Sequence, residues 1–242
     1  MGAPNRDDLT TRRMPCPPRL PPRRASGVMT SALILAAIGV VPTLALTALV
    51  ELAFFARMPE LMNGSARFVT AVTSALQFLG FGAACALVAR AVEAQRTGRG
   101  PSLSHALRSL RTVAGSLSAV LLMSAAFVGA LSAVDYALGI AGTLVLCLAP
   151  VAVAVDGGTA FTGLRRGANA VLKAPAATIL VVGLTVFLQI LLDMMRLAFS
   201  MTAAQFGHFW FGVQGAAAVI STVIVTCSGV ALALIYRNAS GR

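Results

Sequence analysis

The chain has 242 residues, of which 57% are hydrophobic and only 11% charged, and its 19 Lys and Arg outnumber 8 Asp and Glu. Soluble domains carry about 25% charged residues, so a mean hydropathy of +0.84 excludes an ordinary soluble globule and points to an all-α polytopic membrane protein. The isoelectric point near 11.3 does not mark a nucleic-acid binder. Such a protein shows a basic face on a soluble fold, whereas here the basic residues flank apolar runs.

Residues 1–27 hold six of the eleven prolines and six arginines, including the run PCPPRLPPRR. Proline-rich, basic and without apolar periodicity, the segment reads as a disordered cytoplasmic tail, and Met29 offers an alternative start at its edge. The apolar run that follows is longer than the roughly 7–15 residues of a signal-peptide core, so it reads as a retained helix. From there the transmembrane domain is expected over residues 28–237, with a short cytoplasmic tail at 238–242.

A hydrocarbon core of about 30 Å needs roughly 20 apolar residues per helix. Six segments qualify, at about 29–56, 68–92, 113–134, 138–156, 176–200 and 212–236. Lipid leaves backbone groups no partner outside the chain, so the spans are helices, and no barrel alternation is present. The stretch DYALG between the third and fourth spans predicts a tight helical hairpin, and Pro42 and Pro150 predict kinks. Small residues predict close helix packing: Gly80, Gly82, Ala83 and Ala84 in the second span, Gly115, Ser116 and Ser118 in the third, and Gly215, Ala216, Ser221 and Gly229 in the sixth.

Loop charges set orientation. With the N-terminal tail inside, Arg57, Arg67 and Arg196 face outward and the other sixteen of the nineteen cations face the cytoplasm. This predicts a multi-pass protein of a bacterial inner membrane with both termini cytoplasmic.

Two inner loops carry helical periodicity of their own, at about 102–112 and 159–173. In the first, Leu103, Ala106, Leu107 and Leu110 share one face, with Arg108 and Arg111 opposite. In the second, Phe161, Leu164, Ala168, Val171 and Leu172 face away from Thr162, Arg165, Arg166, Asn169 and Lys173. Each is too short and too charged to span and reads as an amphipathic elbow lying in the cytoplasmic interface. Thr159, after Asp-Gly-Gly, is the expected N-cap of the second. The elbows align at an offset of 57, Leu107 over Leu164 and Arg108 over Arg165, which suggests a parallel internal duplication. An interfacial elbow also selects Leu and Arg on its own account, so that alternative stays open.

A span ending in Pro150, then Asp156, Gly157 and Gly158, then an elbow with Gly163, Leu164, Arg165 and Arg166, resembles the membrane domain found beside glycerophosphoryl diester phosphodiesterases. Ala106-Leu107-Arg108-Ser109 matches the same motif upstream. The resemblance covers about residues 28–236 and implies a six-span membrane domain. Gly167 stands near where the motif has Ser, and Asp156 replaces the commoner Glu. No phosphodiesterase catalytic domain is present, so the enzymatic activity does not carry over.

Charged groups inside spans cost about 2.5–3.5 kcal/mol at a helix centre on insertion scales. The candidates are Glu51, Asp135, Asp193 and Arg196, accompanied by Gln77 and Gln189. All four lie near the outer ends of their spans, where they can snorkel to water. They read chiefly as interfacial caps and one i, i+3 ion pair, Asp193 with Arg196. The competing reading has Glu51, Asp193 and Arg196 lining an outward-facing polar cavity.

Catalytic signatures are missing from the sequence: no HExxH, no GxSxG and no Walker motif. Cys16, Cys85, Cys147 and Cys227 are dispersed, and His105 and His208 are isolated, so no metal centre, disulfide framework or cofactor is expected. The sequence therefore predicts a non-catalytic membrane protein. Arg108, Arg111, Arg165, Arg166 and Lys173 are its candidates for holding anionic lipid headgroups. A small transporter or channel, a homo-oligomer, or an accessory subunit of a larger complex are the alternatives.

Overall fold

The structure, a computed structural model, describes residues 22–56, 65–96, 111–203 and 208–241. Their helices are α1 (Pro22–Ala56), α2 (Ser65–Arg96), α3 (Ala114–Val134), α4 (Tyr136–Leu146), α5 (Leu148–Asp156), α6 (Ala160–Lys173), α7 (Pro175–Ala203) and α8 (His208–Ser240). The fold is an all-α bundle. Six segments are long and apolar enough to cross a membrane, at Met29–Val50, Arg67–Arg96, Ala114–Val134, Tyr136–Asp156, Pro175–Arg196 and Gly212–Ser240. α4 and α5 together form the fourth, and α6 lies outside all of them.

Boundaries differ from the hydropathy reading mainly where polar residues continue a helix. α1 already begins at Pro22, inside the stretch read as tail, and α8 runs to Ser240, past the expected boundary at 237. The third and fourth spans meet more tightly than DYALG suggested. Only Asp135 separates them, extended at φ −154° and ψ 135°, with its carboxylate accepting from the Ala137 N–H at 2.7 Å. Gly139 then packs directly against Ser132 across the hairpin.

The two span prolines behave differently. α1 continues through Pro42 without a break, whereas the fourth span is divided at Cys147. Pro150 explains the division: it has no N–H to give the Leu146 carbonyl, and its ring crowds that same group. Cys147 keeps helical dihedrals and its own N–H bond to Thr143.

α2 is the central helix, in contact with α1, α3, α5 and α8. The main core joins Ala84, Cys85 and Val88 of α2 to Cys147, Leu148 and Val151 along the fourth span, and to Leu232 and Tyr236 of α8. Apolar side chains gain little from leaving lipid for protein, so association rests on close approach and van der Waals contact. The small residues serve that end unevenly. A Cβ on Gly82 would meet Leu121 and Pro150, and one on Gly229 would meet Val88 and Cys85. Gly115 and Gly215, expected to pack as well, face open space. α7 is peripheral, with 17% of its span buried against 56% of the fourth span.

Candidate functional site

Two polar regions stand out, one at each end of the bundle. At the end where α5 turns into α6, Gly157 (φ 71°) and Gly158 (φ 96°) take left-handed conformations that side chains resist. Thr159 then caps α6 as its sequence suggested, its hydroxyl oxygen accepting from the Thr162 N–H.

α6 has three arcs rather than two faces. Gly163, Gly167 and Ala170 are buried. A Cβ on Gly167 would lie 2.6 Å from the Ala149 nitrogen, and one on Gly163 would strike Val153, so backbone meets backbone where α6 docks on α5. Leu164, grouped by its spacing with the outward apolar face, instead packs inward with Val120, Ala149 and Val153. Phe161 and Leu172 form the outer apolar arc, 73% and 77% exposed. The third arc is polar. Arg165 and Asn169 are exposed there, and the Lys173 ammonium donates to the Ala239 carbonyl at 3.1 Å.

Asp156 anchors this end. Its side chain is 6% exposed and its Oδ2 accepts from the Tyr236 hydroxyl at 2.7 Å and from Arg166 Nη1 at 3.3 Å. Burying a carboxylate is costly unless it is paired and hydrogen-bonded, and these two donors meet that need while joining α5, α6 and α8. Beside them lies a hollow of about 280 Å³ lined by Arg166, Asn169, Lys173, Tyr236 and Ser240. Arg108 lies outside the described residues, as does nearly all of the first elbow, and Arg111 is exposed.

At the opposite end a cavity of about 130 Å³ opens among the spans. Thr43 and Thr47 reach it from α1, Gln77 from α2, and Ser132 from α3. Ser74 of α2, Tyr136 and Thr143 of α4, Thr185, Gln189 and Asp193 of α7, and Ser221 of α8 complete its polar lining. Gln189 Nε2 donates to Ser221 Oγ at 2.8 Å, and Thr185 and Ser228 hydroxyls share a bond at 2.5 Å. The four charged candidates do not converge on this cavity as a group. Asp193 lines it and pairs with Arg196 at 3.9 Å, with side chains 42% and 11% exposed respectively. Asp135 is an exposed cap at the hairpin, and the Glu51 side chain lies outside the described residues. Among the described residues no group of three or more His, Cys, Asp or Glu could hold a metal ion.

Sequence reading named the Asp193–Arg196 pair and the two glutamines and offered an outward-facing cavity with Asp193 on its wall, but missed the hydroxyls that form most of its polar lining. Each span contributes one or two hydroxyls or amides at most, an unremarkable pattern taken helix by helix. The glycine face of α6 was hidden for another reason: glycine carries no hydropathy signal, and only its i, i+4 spacing at Gly163 and Gly167 hinted at docking.

No family model, curated protein or solved structure matches this chain.

Proposed function

We propose that this is a non-catalytic multi-pass protein of a bacterial inner membrane whose elbow helix gathers anionic lipid headgroups at the cytoplasmic face. The observation that carries the reading is the exposed surface of α6. Phe161 and Leu172 stand exposed beside Arg165 on a helix that does not span. Large apolar side chains next to a cation suit the boundary between acyl chains and headgroups. The adjoining hollow carries Arg166, Lys173 and Asn169 on its wall together with Asp156, which pairs with Arg166; its two cations exceed its one carboxylate, and a cation near an anionic leaflet gains about 1 kcal/mol. The positive-inside distribution of the loops supports the orientation. The first elbow, through Arg108 and Arg111, would add to the same basic surface if the two elbows are the duplicated units that the alignment of Leu107 with Leu164 and Arg108 with Arg165 suggests.

The test is lipid retention. Wild-type protein and an Arg108→Gln, Arg165→Gln double variant are purified in mild detergent and their bound phosphatidylglycerol is quantified. At about 1 kcal/mol per cation, the variant should retain severalfold less. Equal retention would overturn the reading.

A second reading, a small transporter, is favoured by the polar cavity at the far end. Against it, the elbow half of the bundle is closed by Cys85, Cys147, Leu148, Val151 and Leu232. A transporter would need those contacts to open.

A further inference from the structure

The far-end cavity has a hydrogen-bonding character that its residue names alone do not reveal. Thr47 Oγ1 donates to the Thr43 carbonyl at 2.8 Å, Thr143 Oγ1 to Gly139 at 3.0 Å, and Thr185 Oγ1 to Val181 at 2.7 Å. Thr43 Oγ1 likewise donates to the Val40 carbonyl at 2.9 Å. A hydroxyl has one proton and two lone pairs. With the proton committed to the preceding turn of its own helix, each of Thr43, Thr47 and Thr143 keeps only acceptor capacity for anything in the cavity, while Thr185 shares its hydroxyl with Ser228.

The rest of the wall complements this. Gln77 and Gln189 bring amides, which offer both donor and acceptor, and Phe78, Phe81 and Tyr136 bring ring surface. The one carboxylate on the wall, Asp193, is paired with Arg196, so the wall holds no uncompensated charge to draw an ion. A preformed hollow lined mostly by apolar groups, with a few convergent polar ones, is the usual form of a small-molecule site. An engineered cavity of about 150 Å³ accommodates benzene, so an open hollow of about 130 Å³ suits a whole triol or one side of a sugar-sized ring.

From this convergence we infer that the cavity binds a neutral polyol: a compact group with several hydroxyl donors for the threonine lone pairs and C–H faces for the aromatic rings. Benzene-like ligands would leave the acceptors unmatched, and anions would meet threonine lone pairs with no Lys or Arg among the lining residues. The polyol is either a free solute entering from the aqueous end or the uncharged sugar headgroup of a lipid.

The experiment uses the full chain in zwitterionic nanodiscs. Equilibrium binding of radiolabelled glycerol and myo-inositol tests the free solute. Native mass spectrometry with glucosyl diacylglycerol, against diacylglycerol lacking the sugar, tests the headgroup. Saturable binding in either arm supports the inference and identifies the source. Thr185→Val and Gln189→Leu, nearly isosteric, should each weaken that binding at least tenfold. Ser221→Ala, a milder change that removes only the partner of Gln189, should weaken it severalfold should either of the first two fail to fold. Absence of saturable binding in both arms overturns the inference, as does binding that none of the folded variants alters.

Discussion

α4 and α5 belong to one membrane span, divided at Cys147, yet they meet opposite surroundings. Every residue of α5 from Leu148 to Ala154 is buried, whereas α4 buries only Gly139 and Gly142. α5 is enclosed by α2, α3, α6 and α8, while Tyr136, Ile140 and Thr143 of α4 line a cavity. Hydropathy barely separates the two, because both are strings of apolar and small residues. Steric fit separates them: α6 presents glycines to α5, and among the described residues nothing equivalent fills the space beside α4.

The sharpest way to break this comparison is at the glycine contact. Gly167→Val places a branched side chain against the backbone of Ala149. Neither side can yield, so a loss of about 3 kcal/mol, at the upper end of overpacking costs, is expected in reversible SDS unfolding. A second change at the same end, Tyr236→Phe, removes a donor from the buried Asp156 carboxylate. The cost should be about 2 kcal/mol, and an Arg166→Gln background should alter it, since both residues serve one oxygen. Asp135→Ala removes the cap at the start of α4 and should cost about 1 kcal/mol by the same measurement.

On the cavity side the effect should nearly vanish. Among the described residues the Thr143 hydroxyl bonds within its own helix, so Thr143→Val should change stability by less than about 0.5 kcal/mol. If Thr143→Val proved as damaging as Gly167→Val, the contrast between the two halves of the span would fail.

The spans and the hairpin were legible in the sequence because lipid imposes length and hydropathy directly on a helix. Thr159 was legible as a cap because its signal is local. Leu164 was misplaced because helical periodicity says which residues share a face, not which of two apolar surroundings that face meets. The contact through Gly163 and Gly167 and the gathering of Thr43, Thr143, Thr185 and Gln189 both depend on residues far apart in sequence. Asp135 was legible as a cap between the third and fourth spans, although a one-residue turn is tighter than the stretch DYALG suggested.

The bond between Asp156 and Tyr236 also sets a schedule for biosynthesis. Its partners are 80 positions apart, and chains grow at roughly 5–20 residues per second, so Asp156 leaves the ribosome about 4–16 s before the tyrosine that completes its site. In that interval Arg166, ten positions away on the same stretch of chain, is already present to hold the carboxylate. Arg166 is thus the earlier of the two donors to meet the carboxylate, and Tyr236, arriving later on α8, latches α5 and α6 to that helix.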